Sequence, residues 1–76
     1  MSAETQYPYH INIFFDANDG DYIADVPDFE HISAFGPTPE DALREVLIAL
    51  AMTVEFYREQ GMPLPEAKYR PAYMTE

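Results

Sequence analysis

Hydrophobic and polar positions alternate from Tyr7 to Phe15. Tyr9, Ile11, Ile13 and Phe15 share one parity, His10, Asn12 and Phe14 the other, so a strand is predicted over Tyr7–Phe15 with its odd positions toward a core. Asp16-Ala-Asn-Asp-Gly-Asp21 follows as a turn. Asn and Asp tolerate tight backbone there, and Gly20 supplies positive φ. A second strand is expected over Tyr22–Val26, stopped by Pro27 and Asp28, and a third near His31–Phe35. Short connections between consecutive strands favour an antiparallel meander.

The period changes at Thr38. Gly36 ends the third strand, Thr38 is a good N-cap, Pro39 takes the first helical position and Asp41 falls three residues past the cap. Glu40 and Asp41 complement the positive helix end. A helix is predicted to about Gln60, closed by Gly61 and Pro63. Leu43, Val46, Leu47, Leu50, Val54 and Tyr57 form the stripe expected to pack on the sheet. Ile48, Ala49, Ala51 and Met52 are apolar too, so a second helix face is expected to be covered. A second copy would do it, in a dimer or tetramer, with Ile48, Ala51 and Met52 in contact. The Pro-rich stretch Met62–Tyr73 folding back is the alternative. Ala67–Arg70 has room for a short fourth edge strand, ended by Pro71. The expected fold is α+β: a three-stranded antiparallel meander on one long helix, β-β-β-α(-β), as one domain over 7–70. Residues 1–6 are expected to be disordered and 71–76 to be a tail.

Composition narrows the function. The chain has 76 residues, no cysteine and a formal charge of −10. Its four basic residues all follow position 43, and nine acids precede them. Phosphate contacts need cations, so direct nucleic-acid binding is disfavoured. An acidic sheet instead attracts a basic protein. The absence of cysteine fits a cytoplasmic protein. The N-terminus has no signal-peptide pattern, and the run Val46–Met52 is too short to span a membrane.

No catalytic constellation accompanies the acids. Counted as a calcium loop from Asp16, Gly20 falls at position 5 and Pro27 at position 12, so the register fails. Asp16, Asp25 and Asp28 would have to converge to hold the two metals of a nuclease, and no Lys, His or Ser set completes such a site. His10 and His31 read as polar sheet positions, not zinc ligands. No enzyme activity, metal or cofactor is therefore expected. Tyr7, Tyr9, Phe14, Tyr22, Phe29 and Phe35 make the sheet aromatic. Aromatics among acids, without interleaved cations, suit a protein interface better than an RNA platform.

Tyr22-Ile-Ala-Asp-Val-Pro-Asp-Phe29, Gly36-Pro-Thr-Pro-Glu-Asp-Ala42 and the exit Gly61-Met-Pro-Leu-Pro-Glu66 together resemble the HicB-like antitoxin family, over about residues 7–66. The resemblance implies a partial ribonuclease-H-like fold. It also implies neutralisation of a HicA-type toxin, a small basic mRNA-cleaving protein whose RNA surface or active site the antitoxin covers. Asp16, Asp19, Asp21, Asp25, Asp28 and Glu30, with Tyr22, are the contacts expected to face that partner. Full-length members add a C-terminal DNA-binding segment, for which the chain to Glu76 has no room, so operator binding would need a subunit in trans. A stand-alone oligomeric scaffold and a divergent ribonuclease-H-like nuclease are the alternative functions.

Overall fold

The structure, a computed structural model, describes residues 8–69. Three strands, β1 (Asn12–Asp16), β2 (Asp21–Asp25) and β3 (Ser33–Gly36), precede one helix, α1 (Pro39–Gln60). They form an antiparallel sheet in the order β1-β2-β3, the predicted meander. Tyr7 and Arg70, the outer limits of the predicted domain, lie outside the described residues, as do the 1–6 and 71–76 segments.

Strand boundaries move by up to five residues. β1 starts at Asn12, not Tyr7, because its partner β2 ends at Asp25 and leaves Tyr9–Ile11 nothing to pair with. Beyond Asp25 the backbone turns: the Phe29 N–H donates to the Val26 carbonyl, and the Val26 N–H donates to the Ile32 carbonyl. Those bonds also delay β3 to Ser33. Asp16 shapes the β1–β2 turn, its carboxylate accepting from the Asn18 N–H (3.0 Å) and its carbonyl from the Gly20 N–H (2.8 Å). Gly20 has φ 74°, as the turn chemistry predicts.

α1 matches its expected limits. The Thr38 side chain accepts from the Asp41 N–H (3.1 Å), and Gly61 adopts the left-handed conformation with φ 67°. Arg44 pairs with Asp41 one turn on. The buried stripe is Ala42, Val46, Leu50 and Val54, which corrects the expectation for Leu43 and Leu47: both are exposed. The helix turns the smaller Ala42 toward the sheet so that it can come close. The core is small, completed by Ala24, Val26, Phe29 and Ile32. α1 lies over β2 and β3, nearer β3, and touches β1 least. For that reason Ile13 and Phe15, on the helix side of β1, stay largely open, with the Phe15 ring edge-on to Tyr22.

Gly36 is where sheet and helix meet. A Cβ there would fall 2.7 Å from the Asp41 Cβ and 3.0 Å from the Ala42 backbone nitrogen. Gly36→Ala is therefore expected to cost about 1–3 kcal/mol, as overpacking does. Urea unfolding should show it as a lower midpoint at unchanged slope.

Residues 62–69 add no fourth strand. They run beside Tyr9 and Asp28: the Tyr9 hydroxyl donates to the Pro65 carbonyl (2.7 Å), and the Lys68 and Tyr69 N–H groups donate to the Asp28 carboxylate. Carboxylate capping replaces the expected ladder. These residues also leave Ile48 and Met52 bare. Burial pushes the Tyr9 phenol above its ordinary range, reinforced by the negative charge of Asp28 and by Tyr57.

Candidate functional surface

Strand parity sends Tyr22, Ala24 and Val26 toward α1, and among the described residues no element covers the other face of the sheet. Register then aligns three rows on that open face. Phe14 stands opposite Ile23, and Ile23 opposite Phe35, giving one apolar row across all three strands. Phe14 is 49% and Phe35 67% exposed. On one side lies the row Asn12, Asp25 and Ser33; on the other, Asp16 and Asp21, with Asp19 in the adjoining turn.

Both flanks are organised. Asn12 Nδ2 donates to Asp25 Oδ1 (3.0 Å), so Asn12 Oδ1 is left to accept, and His10 Nε2 (2.8 Å) is the donor to it. Asp16, Asp19 and Asp21 border a cavity of about 170 Å³ whose remaining wall includes Ile23, Ser33 and Phe35. None of the three strands carries a Lys or Arg. The face is thus an apolar strip between two acidic margins.

The seven residues expected to face a partner divide. Asp16, Asp19 and Asp21 gather at the turn end. Asp25 and Glu30 line a separate cavity of about 500 Å³ at the opposite end of the sheet. Asp28 is engaged with the backbone of residues 68 and 69. Tyr22 lies on the helix side of the sheet, its ring 5.1 Å from that of Phe15, away from these acids. Asp16 and Asp25 sit four rungs apart on the ladder, about 13 Å at ordinary strand rise, far beyond the spacing of a two-metal site. Among the described residues no three His, Asp or Glu side chains are grouped to hold a metal ion. His10 packs against Tyr69, and His31 lies exposed in the β2–β3 connection beside Glu30, not on a sheet face.

Of the expected oligomer contacts, Ile48 and Met52 face a groove of about 680 Å³ between α1 and β3. Ala51 falls on the other flank of the helix with Leu43 and Leu47. No described helix is long and apolar enough to cross a membrane.

The aligned row Phe14–Ile23–Phe35 was not foreseen. Its one sequence signal is Ile23, an apolar residue whose neighbours Tyr22 and Ala24 both belong to the opposite face. Set against protein-family models, curated proteins and solved structures, the chain matches none of them.

Proposed function

We propose that this chain is an antitoxin-like protein-binding module whose open sheet face covers the cationic RNA-binding surface of a small basic, HicA-type mRNA-cleaving protein. The observation that carries the reading is the row Phe14–Ile23–Phe35, exposed at both phenylalanines and half-buried at Ile23, between acidic margins on strands without a single cation. Aromatic side chains give such a face its contact area. The acids steer a basic partner and exclude acidic ones. Occlusion needs no catalytic group on this chain.

The test is recovery of the partner and measurement of its inhibition. The chain should co-elute at equal stoichiometry with a small basic protein that cleaves RNA, and adding the chain should stop the cleavage. Reversing Asp19 and Asp21 to Lys should cut the association rate about tenfold at low salt, read by stopped-flow mixing. Asp16, Asp25 and Asp28 are left intact because their carboxylates hold the β1–β2 turn, Asn12 and the backbone of residues 68 and 69. An unchanged rate, or a partner that stays active in the complex, would refute the proposal.

A second reading, a stand-alone homo-oligomeric scaffold, is supported by a different surface: Ile48 and Met52, exposed on α1.

A further inference from the structure

β3 is an edge strand among the described residues, and its outward groups can pair with those of a second copy. The Val26–Ile32 hydrogen bond fixes the alternation of the β2–β3 ladder. Ala34 and Gly36 turn their backbone groups toward β2 at Ala24 and Tyr22. Ser33 and Phe35 then direct both their N–H and C=O groups outward, and no other hydrogen bond among the described residues takes them up. Pro37 ends the edge one residue later. The edge carries no charge, no internal proline and no bulge, the usual devices that keep strands apart. Below it opens a groove whose helix wall is apolar at Ile48, Ala49 and Met52 and charged at Asp41, Arg44 and Glu45, with Met52 68% exposed.

From these features we infer that the occupant is a second copy of this chain, joined through β3. Pairing two β3 edges antiparallel about a twofold axis at Ala34 sets Ser33 opposite Phe35 of the copy. Both residues on each chain then exchange their bonds: Ser33 N–H to the Phe35 carbonyl and Phe35 N–H to the Ser33 carbonyl, four bonds with no outward group left over. The axis keeps both helices on one side of the resulting six-stranded sheet. Because α1 lies over β2 and β3, strand spacing places the two helices roughly 10 Å apart, the interaxial distance of packed helices. Ile48 and Met52 of the two chains close the groove between them, and Ala34, the residue on the axis, is small enough to sit beneath both. The strand itself carries no charge, the charges along the groove are Asp41, Arg44 and Glu45 of α1, with Arg44 paired to Asp41, and the acids of the open face stay free. β1 offers no equivalent, since α1 lies away from its edge. This inference rests on the homo-oligomeric reading and names its interface.

The experiment is sedimentation of the full chain with Ser33→Pro and Ile48→Glu variants, alongside amide hydrogen exchange of the wild type. At an outward-facing edge position proline removes only the N–H that pairs with the copy, so helical circular dichroism should persist. The wild type should contain a two-chain unit, tightened by salt because each copy bears −10. Both variants should weaken that unit about 30-fold or more. Ser33 and Phe35 amides should gain protection as wild-type concentration rises, a readout that does not depend on either variant folding. A wild type that stays monomeric at about 100 µM overturns the homo-oligomeric reading itself. An oligomer indifferent to Ser33→Pro, with Ser33 and Phe35 amides unprotected, overturns only the β3 interface.

Discussion

Leu50→Ala is expected to lower the stability of the isolated chain by about 2–5 kcal/mol. Leu50 is the largest of the fully buried side chains, 1% exposed, and sits mid-helix among Val46, Val54, Ala24 and Val26. Ala24, Val26, Val46 and Val54 in this core are short side chains with little reach into the space that Leu50 would leave, so the cavity cost adds to the lost transfer energy. At roughly 0.05–0.15 kcal/mol per residue, a domain of this size holds on the order of 4–11 kcal/mol in total. Losing about 3 kcal/mol of that should drop the melting temperature by about 12–24 °C. Thermal unfolding followed by circular dichroism at two protein concentrations checks the value, because an oligomer would raise Tm with concentration. A shift under about 5 °C would mean that the site relaxes in a way the packed core does not suggest.

How well each part of the fold could be read follows from how local its causes are. α1 was legible to the residue because Thr38, Pro39 and Gly61 act on their own backbone. Which stripe it buries was less so. Leu43 and Leu47 are as apolar as Val46 and Leu50, and only the seating of α1 on β3 decides that Ala42 goes inward instead. Strand limits shifted for the same kind of reason. Tyr9 and Ile11 alternate like strand residues and do pack against the core, but β2 is too short to pair with them. The acids were visible one by one. Their division into a turn-end group and an opposite-end pair depends on register, which appears only when Asn12 meets Asp25 and Asp16 meets Asp21. The outward amides of Ser33 and Phe35 lie further still from the sequence, since they follow from the phase of a hydrogen-bond ladder.

The two surfaces differ in how they should respond to salt. Binding of a basic protein at the open face draws on opposite charge and weakens as ionic strength rises. Self-association at β3 opposes like charge and strengthens. A titration from about 10 mM to 1 M salt, where the screening length falls from about 30 to 3 Å, therefore separates them without any substitution. Since the β3 edge and the open face are different sides of one sheet, both can be occupied together.

Phe14→Ser and Phe35→Ser are each expected to weaken the complex with the basic partner by about 2 kcal/mol or more, roughly 30-fold. The rings flank Ile23 on the two outer strands, in one row that runs between the acidic margins. An exposed aromatic that is desolvated on binding is the kind of residue that dominates an interface, whereas rim charges act on encounter. The two classes of substitution should accordingly separate in kinetics. The acid reversals slow association and flatten its salt dependence; the serine variants leave both alone and speed dissociation. Neither ring belongs to the core. Their loss removes cross-strand contacts with Ile23 worth about 1 kcal/mol at most, so the fold should persist. Phe14 is the cleaner probe, because it stands on β1, two strands from the edge proposed to pair with a second copy. Calorimetric titration of each variant with the co-eluting basic protein measures the effect. If Phe14→Ser binds within threefold of the wild type, the apolar row is not the contact, and the acids would have to act from another face of the molecule.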